Sequence, residues 1–423
     1  MKRLYATRPT AAYLAGATAA RTGDEMSGPA LLLAGYAITG SAAEASALLA
    51  GITIAAAVGG PPVGALLDRA VRPGRLLAVA LALYATGLVT VLAVLGRMPL
   101  PFVVLVAVTT GLLGPALSGG WTAQLPRVAP SGTLPRANAL DAMTYGVAGL
   151  TGPALAGVAA QLFGPPTGLA VSVALIGLAL PVAWGLPAVP GSAAATEGSV
   201  TADLLAGARH ILRSRPLARV TLTSVVSCTG QGMLIVCVPL LGERVLGGAA
   251  HGTMLLSCTA VSALATNAVL ARFPPRCTPD TLVWAGALLQ AAALALAATG
   301  RPFLVLAAVL LAGVGEGPQL TALFAVRHRE APERLRGQIF TTGASLKITG
   351  FAVGAGLAGP LTAWSLPGAL LTAAGVELLA VLAFFTLVPR LFLLEVPVEV
   401  LLEVLLEVPV EERRLFLLEE EVE

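Results

Sequence analysis

Long apolar runs recur along almost the whole chain, and they restrict its possible folds more than any other feature. Clear examples are residues 76–95, 102–117, 167–186 and 282–299. A helix needs roughly 17–25 mostly apolar residues to cross a bilayer. The runs do not alternate between apolar and polar residues, as the strands of a membrane barrel would. Since helices are the other structure that satisfies its own backbone in lipid, we predict an all-α polytopic membrane protein.

The composition agrees with this reading. Of 423 residues, 56% are hydrophobic and 12% are charged, which is too little charge to cover a soluble protein of this length. The apolar runs predict twelve transmembrane helices, six on either side of a long internal loop. The predicted spans are 10–38, 45–67, 76–96, 100–124, 137–163, 167–187, 217–242, 252–272, 281–299, 302–326, 337–363 and 366–388.

Four regions follow from this division. They are an N-terminal six-helix bundle (1–187), a cytoplasmic linker (188–216), a C-terminal six-helix bundle (217–390) and a low-complexity acidic tail (391–423). Five apolar residues of the segment 204–212 fall on one helical face, which suggests an interfacial helix, with a plain cytosolic connector as the equal alternative. Glutamates recur every four residues in the tail, and no function follows from them.

Basic residues alternate in number from loop to loop. With both termini inside, 21 Lys and Arg residues fall on the inner side and three on the outer side, namely Arg97, Arg244 and Arg301. Such a bias follows the positive-inside rule. It predicts a multi-pass protein of the inner (cytoplasmic) membrane with both termini in the cytoplasm.

Few residues offer enzymatic chemistry. The three histidines lie in predicted loops, the spacing of the four cysteines matches no metal site, and the spans carry no nucleophile motif. The chain also has no ATP-binding loop. We therefore expect no enzyme, no cofactor, no metal and no nucleic-acid partner.

The two halves carry similar short motifs. The sequence GLLGP at 111–115 is echoed by GVGEGP at 313–318, and Arg-Ala-Asn at 136–138 parallels Arg-Gly-Gln at 336–338. The second pair is offset by 200 residues. Internal repetition of six-helix units is typical of transporters, whose substrate site lies between the halves.

The loop between the second and third predicted spans is the most specific signal. Its first residue, Gly64, permits close helix contact, and Asp68 can cap a helix end or pair with a base of the opposite half. Three arginines follow that can meet the anionic leaflet, namely Arg69, Arg72 and Arg75. The loop resembles the signature of the major facilitator superfamily, which has a glycine, three residues, Asp-Arg and a basic cluster.

This resemblance covers about residues 5–390. It implies the major facilitator fold, in which two pseudo-symmetric six-helix bundles rock around a central cavity. The family members act by alternating access, so the implied function is secondary transport of a small molecule.

The fifth predicted span indicates export. It carries Gly149, Gly152, Pro153 and Gly157, and is similar to the glycine-proline motif of exporters in the superfamily, with Ala156 in place of one glycine. Ordinary helix packing is the alternative. The segment 136–139 also resembles bacterial drug and siderophore exporters. The fourth span lacks the arginine of many proton-coupled drug antiporters, which excludes coupling through that residue.

Charged residues within the predicted spans are candidate substrate or proton sites, because a charge at mid-membrane costs at least ~2.5–3.5 kcal/mol. Asp24 and Glu25 lie near the middle of the first span, and Arg21 can pair locally with one of them. Glu316 in the tenth span and Lys347 in the eleventh are predicted either to form a salt bridge or to release one partner on binding.

Three further polar residues are weaker candidates. Asp141 near the inner end of the fifth span is either a gate residue or an N-terminal helix charge. Gln231 and Asn267 could give cavity hydrogen bonds or simply pack helices. Glu377 in the twelfth span is expected to be peripheral.

Taken with the resemblance, these residues predict a proton-coupled exporter of a drug-like molecule or metabolite, acting as a monomer. The expected partners are the small-molecule substrate, protons and the lipid bilayer. An importer of a small metabolite and a non-transporting receptor remain the alternatives.

Overall fold

The computed structural model describes residues 8–188, 200–247, 250–273 and 277–391. The acidic tail and the start of the linker lie outside the described residues. Within the described part, twelve long helices account for nearly all of the chain and no strand is present. Eleven are long and apolar enough to cross a membrane. The other, α1 (Arg8–Thr39), spans 32 residues but carries Arg21, Asp24 and Glu25 at its middle.

Prolines and glycines mark the ends of several helices. Pro73, Pro279 and Pro302 begin helices, where a missing N–H costs nothing because the first amides have no intrahelical acceptor. Gly96 and Gly300 lie in turns at φ of 74° and 64°, a conformation that favours glycine.

The fourth helix of the first half continues through a π-helical turn (Ala116–Gly120). The helices of the first half are α1, α2 (Ala42–Arg69), α3 (Pro73–Val94), α4 (Leu100–Gly111), the short α5 (Leu125–Val128), α6 (Leu134–Phe163) and α7 (Pro166–Trp184).

The linker helix α8 (Val200–Arg213) precedes the second half. Each half has its own apolar core. In the first, α1 packs against α6 and α7, and in the second, α9 packs against α13 and α14 while α12 packs against α10 and α11. The helices of the second half are α9 (Arg215–Leu246), α10 (Ala250–Arg272), α11 (Pro279–Ala297), α12 (Pro302–Glu330), α13 (Arg336–Trp364) and α14 (Leu366–Leu391).

The halves meet where α2 ends and α13 begins, which we call the basic end because of its arginines. There α2 packs against α13, and α6 packs against α10 and α12. A Cβ on Gly60 would lie 2.3 Å from the Thr341 carbonyl oxygen, and one on Gly64 would lie 2.1 Å from Thr341 Oγ1. Ser345 Oγ donates to the Ala56 carbonyl oxygen at 2.6 Å. Glycine therefore makes this close contact between the halves possible.

The linker helix α8 docks on the basic end. Asp203 pairs with Arg69 of α2, and Gln338 Nε2 of α13 donates to the Leu204 carbonyl oxygen at 3.0 Å. Ile211 packs in an apolar cluster with Leu335 and other residues of the second half. A helix thus forms in this segment, and it bridges both halves through protein contacts.

Candidate functional site

A closed polar cluster joins α1 to α6 in the first half. Arg21 Nη1 lies 2.9 Å from Asp141 Oδ1, and the two side chains are 2% and 0% exposed. Arg21 also donates to Thr144 and, at 2.8 Å, to Thr122, and its guanidinium lies 3.8 Å from the ring centroid of Tyr145. The local pairing of Arg21 with Asp24 or Glu25 is wrong. A buried guanidinium has five donors, and Asp141 with the two threonines satisfies more of them than one neighbouring acid could.

Asp24 and Glu25 are consequently left without a cation among the described residues. Asp24 accepts a 2.8 Å hydrogen bond from the hydroxyl of Tyr84 on α3. Glu25 is exposed at the middle of its helix. An acid in this position is available to a proton or to a cationic group of a substrate.

The glycines of the glycine-proline segment of α6 differ in their contacts with other helices. Gly152 packs on α1, where an added Cβ would lie 2.8 Å from Glu25 Cβ and 3.0 Å from its carbonyl carbon. Added Cβ atoms at Gly149 and Gly157 would meet nothing within 4 Å. Pro153 lies inside a helix that continues past it. Close packing in this conformation therefore explains Gly152 and leaves the other two glycines free for another role.

A small cavity in the second half is lined by both Glu316 and Lys347. Its volume is about 20 Å³, which holds about one water molecule. The two side chains do not come within the 4.0 Å of an ion pair, and neither pairs with another described residue. The predicted salt bridge is absent from this conformation. The remaining lining residues are Ser224, Cys228, Gln231, Gln319, Leu320 and Leu323.

A chain of hydrogen bonds leads away from this cavity. Gln231 Nε2 donates to Gln290 Oε1 at 2.8 Å, and Gln290 Nε2 donates to Gln319 Oε1 at 3.0 Å. Gln319 Nε2 donates to Ser227 Oγ at 3.3 Å, which in turn donates to Glu377 Oε1 at 3.1 Å. Gln231 therefore belongs to the candidate site. The expectation that Glu377 is peripheral is wrong, since its side chain is 0% exposed and faces α9.

Sequence reasoning missed Ser227, Gln290 and Gln319, although polar residues in apolar helices are the signal that pointed to Gln231. Asn267 lies apart from the chain of hydrogen bonds. Its Oδ1 accepts from Thr321 Oγ1 at 2.9 Å, which ties α10 to α12. Asn267 thus packs two helices in this conformation.

Asp68 joins the halves at the basic end. Its Oδ1 accepts from the backbone N–H of Gly337 at 2.6 Å, and its Oδ2 from that of Gln338 at 2.8 Å. Asp68 reaches the opposite half as expected, but its partner is the N-terminus of α13 instead of a base. A carboxylate is favoured there because the first amides of a helix lack acceptors and carry partial positive charge.

The arginines of this loop differ in their contacts. Arg69 pairs with Asp203 of the linker helix. The guanidinium of Arg75 lies 5.0 Å from the ring centroid of Trp184 on α7, and Arg72 is exposed. The loop thus holds α2, α7, α8 and α13 together.

An aromatic layer closes the basic end on the side of the mid-helix carboxylates. Tyr145 of α6 lies 5.5 Å from Phe324 of α12, and Phe324 lies 6.0 Å from Phe340 of α13, measured between ring centroids. Ala123 and Ala142 of the first half complete the cluster. This layer separates the mid-helix carboxylates from the basic end.

Two six-helix bundles that meet at a sealed basic end, with ionisable residues at mid-helix, form the architecture of a membrane transporter. The chain belongs to the Major Facilitator Superfamily, whose family model matches residues 13–341. It is 28% identical over 357 residues to an uncharacterized MFS-type transporter, y4rN of Sinorhizobium fredii, covering 81% of this chain and 87% of the relative.

Solved structures share the fold at low sequence identity. A bacterial homologue of the iron transporter ferroportin in the outward-facing state matches with a TM-score of 0.71 and 15% identity, over 89% of this chain and 98% of that chain. The human organic anion transporter MFSD10 matches at 0.70 and 16%, over 89% and 100%. The proton:xylose symporter XylE matches at 0.67 and 14%, over 90% and 95%. The family match, not these structures, makes the chain a multi-pass secondary transporter.

Proposed function

We propose that this transporter exports a small organic molecule from the cytoplasm in exchange for protons. The observation that carries the proposal is the set of mid-helix carboxylates without a fixed cation, namely Asp24, Glu25 and Glu316. Arg21, the nearest cation in the first half, is already occupied by Asp141. A carboxylate in this position is stable when it holds a proton or faces a cationic group, and it can exchange one for the other.

Alternating access gives this exchange a direction. We place the basic end in the cytoplasm because of the distribution of Lys and Arg. The described conformation is closed there by the contacts of Asp68, Gly60 and Gly64 with α13, and by the aromatic layer. Uptake of substrate from the cytoplasm requires these contacts to break, and release on the other side requires them to form again.

The preference for export rests on the resemblance of residues 136–139 and of the Gly152-Pro153 segment to exporters. It is tested with everted membrane vesicles that contain the transporter and are acidified inside by respiration. A panel of organic cations, organic anions and neutral metabolites is added while a fluorescent dye reports the proton gradient. An exported compound discharges the gradient in proportion to its uptake.

Three outcomes separate the alternatives. Gradient discharge with vesicular accumulation supports proton-coupled export. Accumulation in right-side-out vesicles instead would establish the importer, and binding without flux in either orientation would establish the receptor. Both of the latter overturn the proposal.

The role of Glu316 is tested in the same assay. Because Glu316 has no fixed partner, Glu316→Gln should abolish accumulation driven by the proton gradient while substrate exchange down its own gradient continues. Asn267→Ala serves as the control, since Asn267 lies apart from the cavity, and it should keep coupled transport. Full coupling in Glu316→Gln would remove Glu316 from the mechanism and shift the role to Asp24 and Glu25.

A further inference from the structure

Glu377 is a buried acid that the exchange described above does not use. It lies in the middle of α14, it is 0% exposed, and its Oε1 accepts one hydrogen bond, from Ser227 Oγ. Its Oε2 is buried and has no partner among the described residues. A Cβ on Gly230 of α9 would lie 2.8 Å from Oε1, so the carboxyl is packed directly against the α9 backbone.

The titratable groups around Glu377 offer it no cation. From α9 it faces Cys228, and the titratable group of α12 that acts on it is Glu316, another acid. The neighbouring part of α11 contributes the neutral amide of Gln290 to the same polar chain. Lys347, on α13, lines the Glu316 cavity and forms no ion pair with Glu377.

An ionised carboxylate in such a place is unfavourable. Burial of a charge without a partner costs several kcal/mol even after relaxation of the protein. The neutral acid avoids this cost and keeps the bond from Ser227. This environment therefore favours the neutral acid of Glu377 over the carboxylate.

A path for exchange of this proton runs toward the cavity. Ser227 joins Glu377 to Gln319, and Gln319 lines the cavity with Glu316. Pro318, next to Gln319, has no N–H, so the Val314 carbonyl lacks its usual helical donor and α12 is weakened at this point. Bending of α12 here would separate Gln319 from Ser227 and admit water to the carboxyl.

We propose that Glu377 is a second proton-binding site of this transporter, filled in the described conformation and emptied through the Glu316 cavity when α12 bends. On release, the carboxyl O–H bond breaks, the proton passes to a cavity water as hydronium, and the carboxylate remains. The proposal extends the proposed proton exchange to α14, but proton binding itself is measured without substrate.

The test is a pH titration of the full-length transporter in lipid nanodiscs. The carboxylic-acid C=O stretch is monitored during the titration by infrared difference spectroscopy. The wild-type protein should show a protonated carboxyl in a dry environment that disappears as the pH is raised. Glu377→Gln should lose this band, and Glu316→Gln, the matched control, should keep it. A band unchanged in Glu377→Gln overturns the assignment, and a wild-type band that persists at every pH overturns the exchange.

A second variant tests the band assignment independently of whether Glu377→Gln folds. Ser227→Ala removes the hydroxyl donor, so the same band should move to the frequency of a carboxyl without a hydrogen bond. An unmoved band in Ser227→Ala overturns the proposal. Because no substrate is present, these results stand whether or not the transporter proves to be an exporter.

Discussion

At the scale of single residues, the charges within the helices differ in whether they are paired. Arg21 and Asp141 satisfy each other and are supported by Thr122, Thr144 and Tyr13. Such a pair holds α1 on α6 and is unavailable to a ligand. The carboxylates of Asp24, Glu25 and Glu316 form no ion pair with a described residue, so they can respond to substrate or proton, as can the buried acid Glu377.

We predict that the Arg21–Asp141 pair is structural. Asp141→Asn should destabilise the protein by about 3–5 kcal/mol, because it leaves the guanidinium buried without its counter-charge. Arg21→Met combined with Asp141→Asn should cost less than the sum of the single changes, as partners in one network are not additive. Thermal unfolding in detergent measures both.

Asp24→Asn is the control for this comparison of single and double variants, because Asp24 pairs with no described cation. Its unfolding temperature should stay near that of the wild-type protein. Additive losses in the Arg21–Asp141 double variant would contradict the structural role of the pair.

At the scale of helices, glycine determines how closely α2 approaches α13. A side chain on Gly64 would overlap Thr341 and the backbone of Gln338, at 2.1 and 2.4 Å. The same helices are tied by Asp68 at the N-terminus of α13. Close packing and a charged cap thus act together on one interface, which is the interface that must open in transport.

We predict that Gly64→Ala opens the basic end. The added methyl group prevents closure, so the distance between spin labels on Val71 and Arg334, both exposed, should increase in double electron–electron resonance. Gly149→Ala is the matched control, because nothing lies within 4 Å of its added Cβ, and it should leave the distance distribution unchanged. Equal distance distributions in Gly64→Ala and the wild-type protein would contradict the prediction, because the interface would then accommodate the methyl group without opening.

Asp68→Asn tests the cap at the same interface. Loss of the charge should weaken the closed state by about 0.3–2 kcal/mol, the range for a charge at a helix N-terminus. Transport should fall while expression remains near normal, since the change affects the exchange of conformations more than folding. Wild-type flux in Asp68→Asn would contradict a role for this cap in the transport cycle.

At the scale of the whole molecule, the transporter is closed at the basic end and has its unpaired acids beyond the aromatic layer. The linker helix α8 adds contacts to both halves there, through Arg69, Gln338 and Leu335. The covalent connection between the halves therefore lies on the same end as their closest packing. Opening of this end must also change the contacts of α8.

We predict that the basic end and the linker face the cytoplasm. In a variant without the four native cysteines, a cysteine introduced at position 195 should resist a membrane-impermeant thiol reagent applied to intact cells. A cysteine at Met98, in the loop between α3 and α4, should react. Labelling at position 195 from outside would reverse the orientation and the proposed direction of transport.

The sequence by itself predicted twelve spans and a division into halves, and it carried the superfamily motif, because hydropathy, loop charge and short motifs are local properties of a chain. Only the tertiary structure decided that Arg21 pairs with Asp141, that Glu316 and Lys347 share a cavity without pairing, and that Glu377 is buried. The physical reason is the same in each case. A side chain's partner depends on which helix lies beside it and at what depth, and residues 120 or more positions apart become neighbours only when the helices pack.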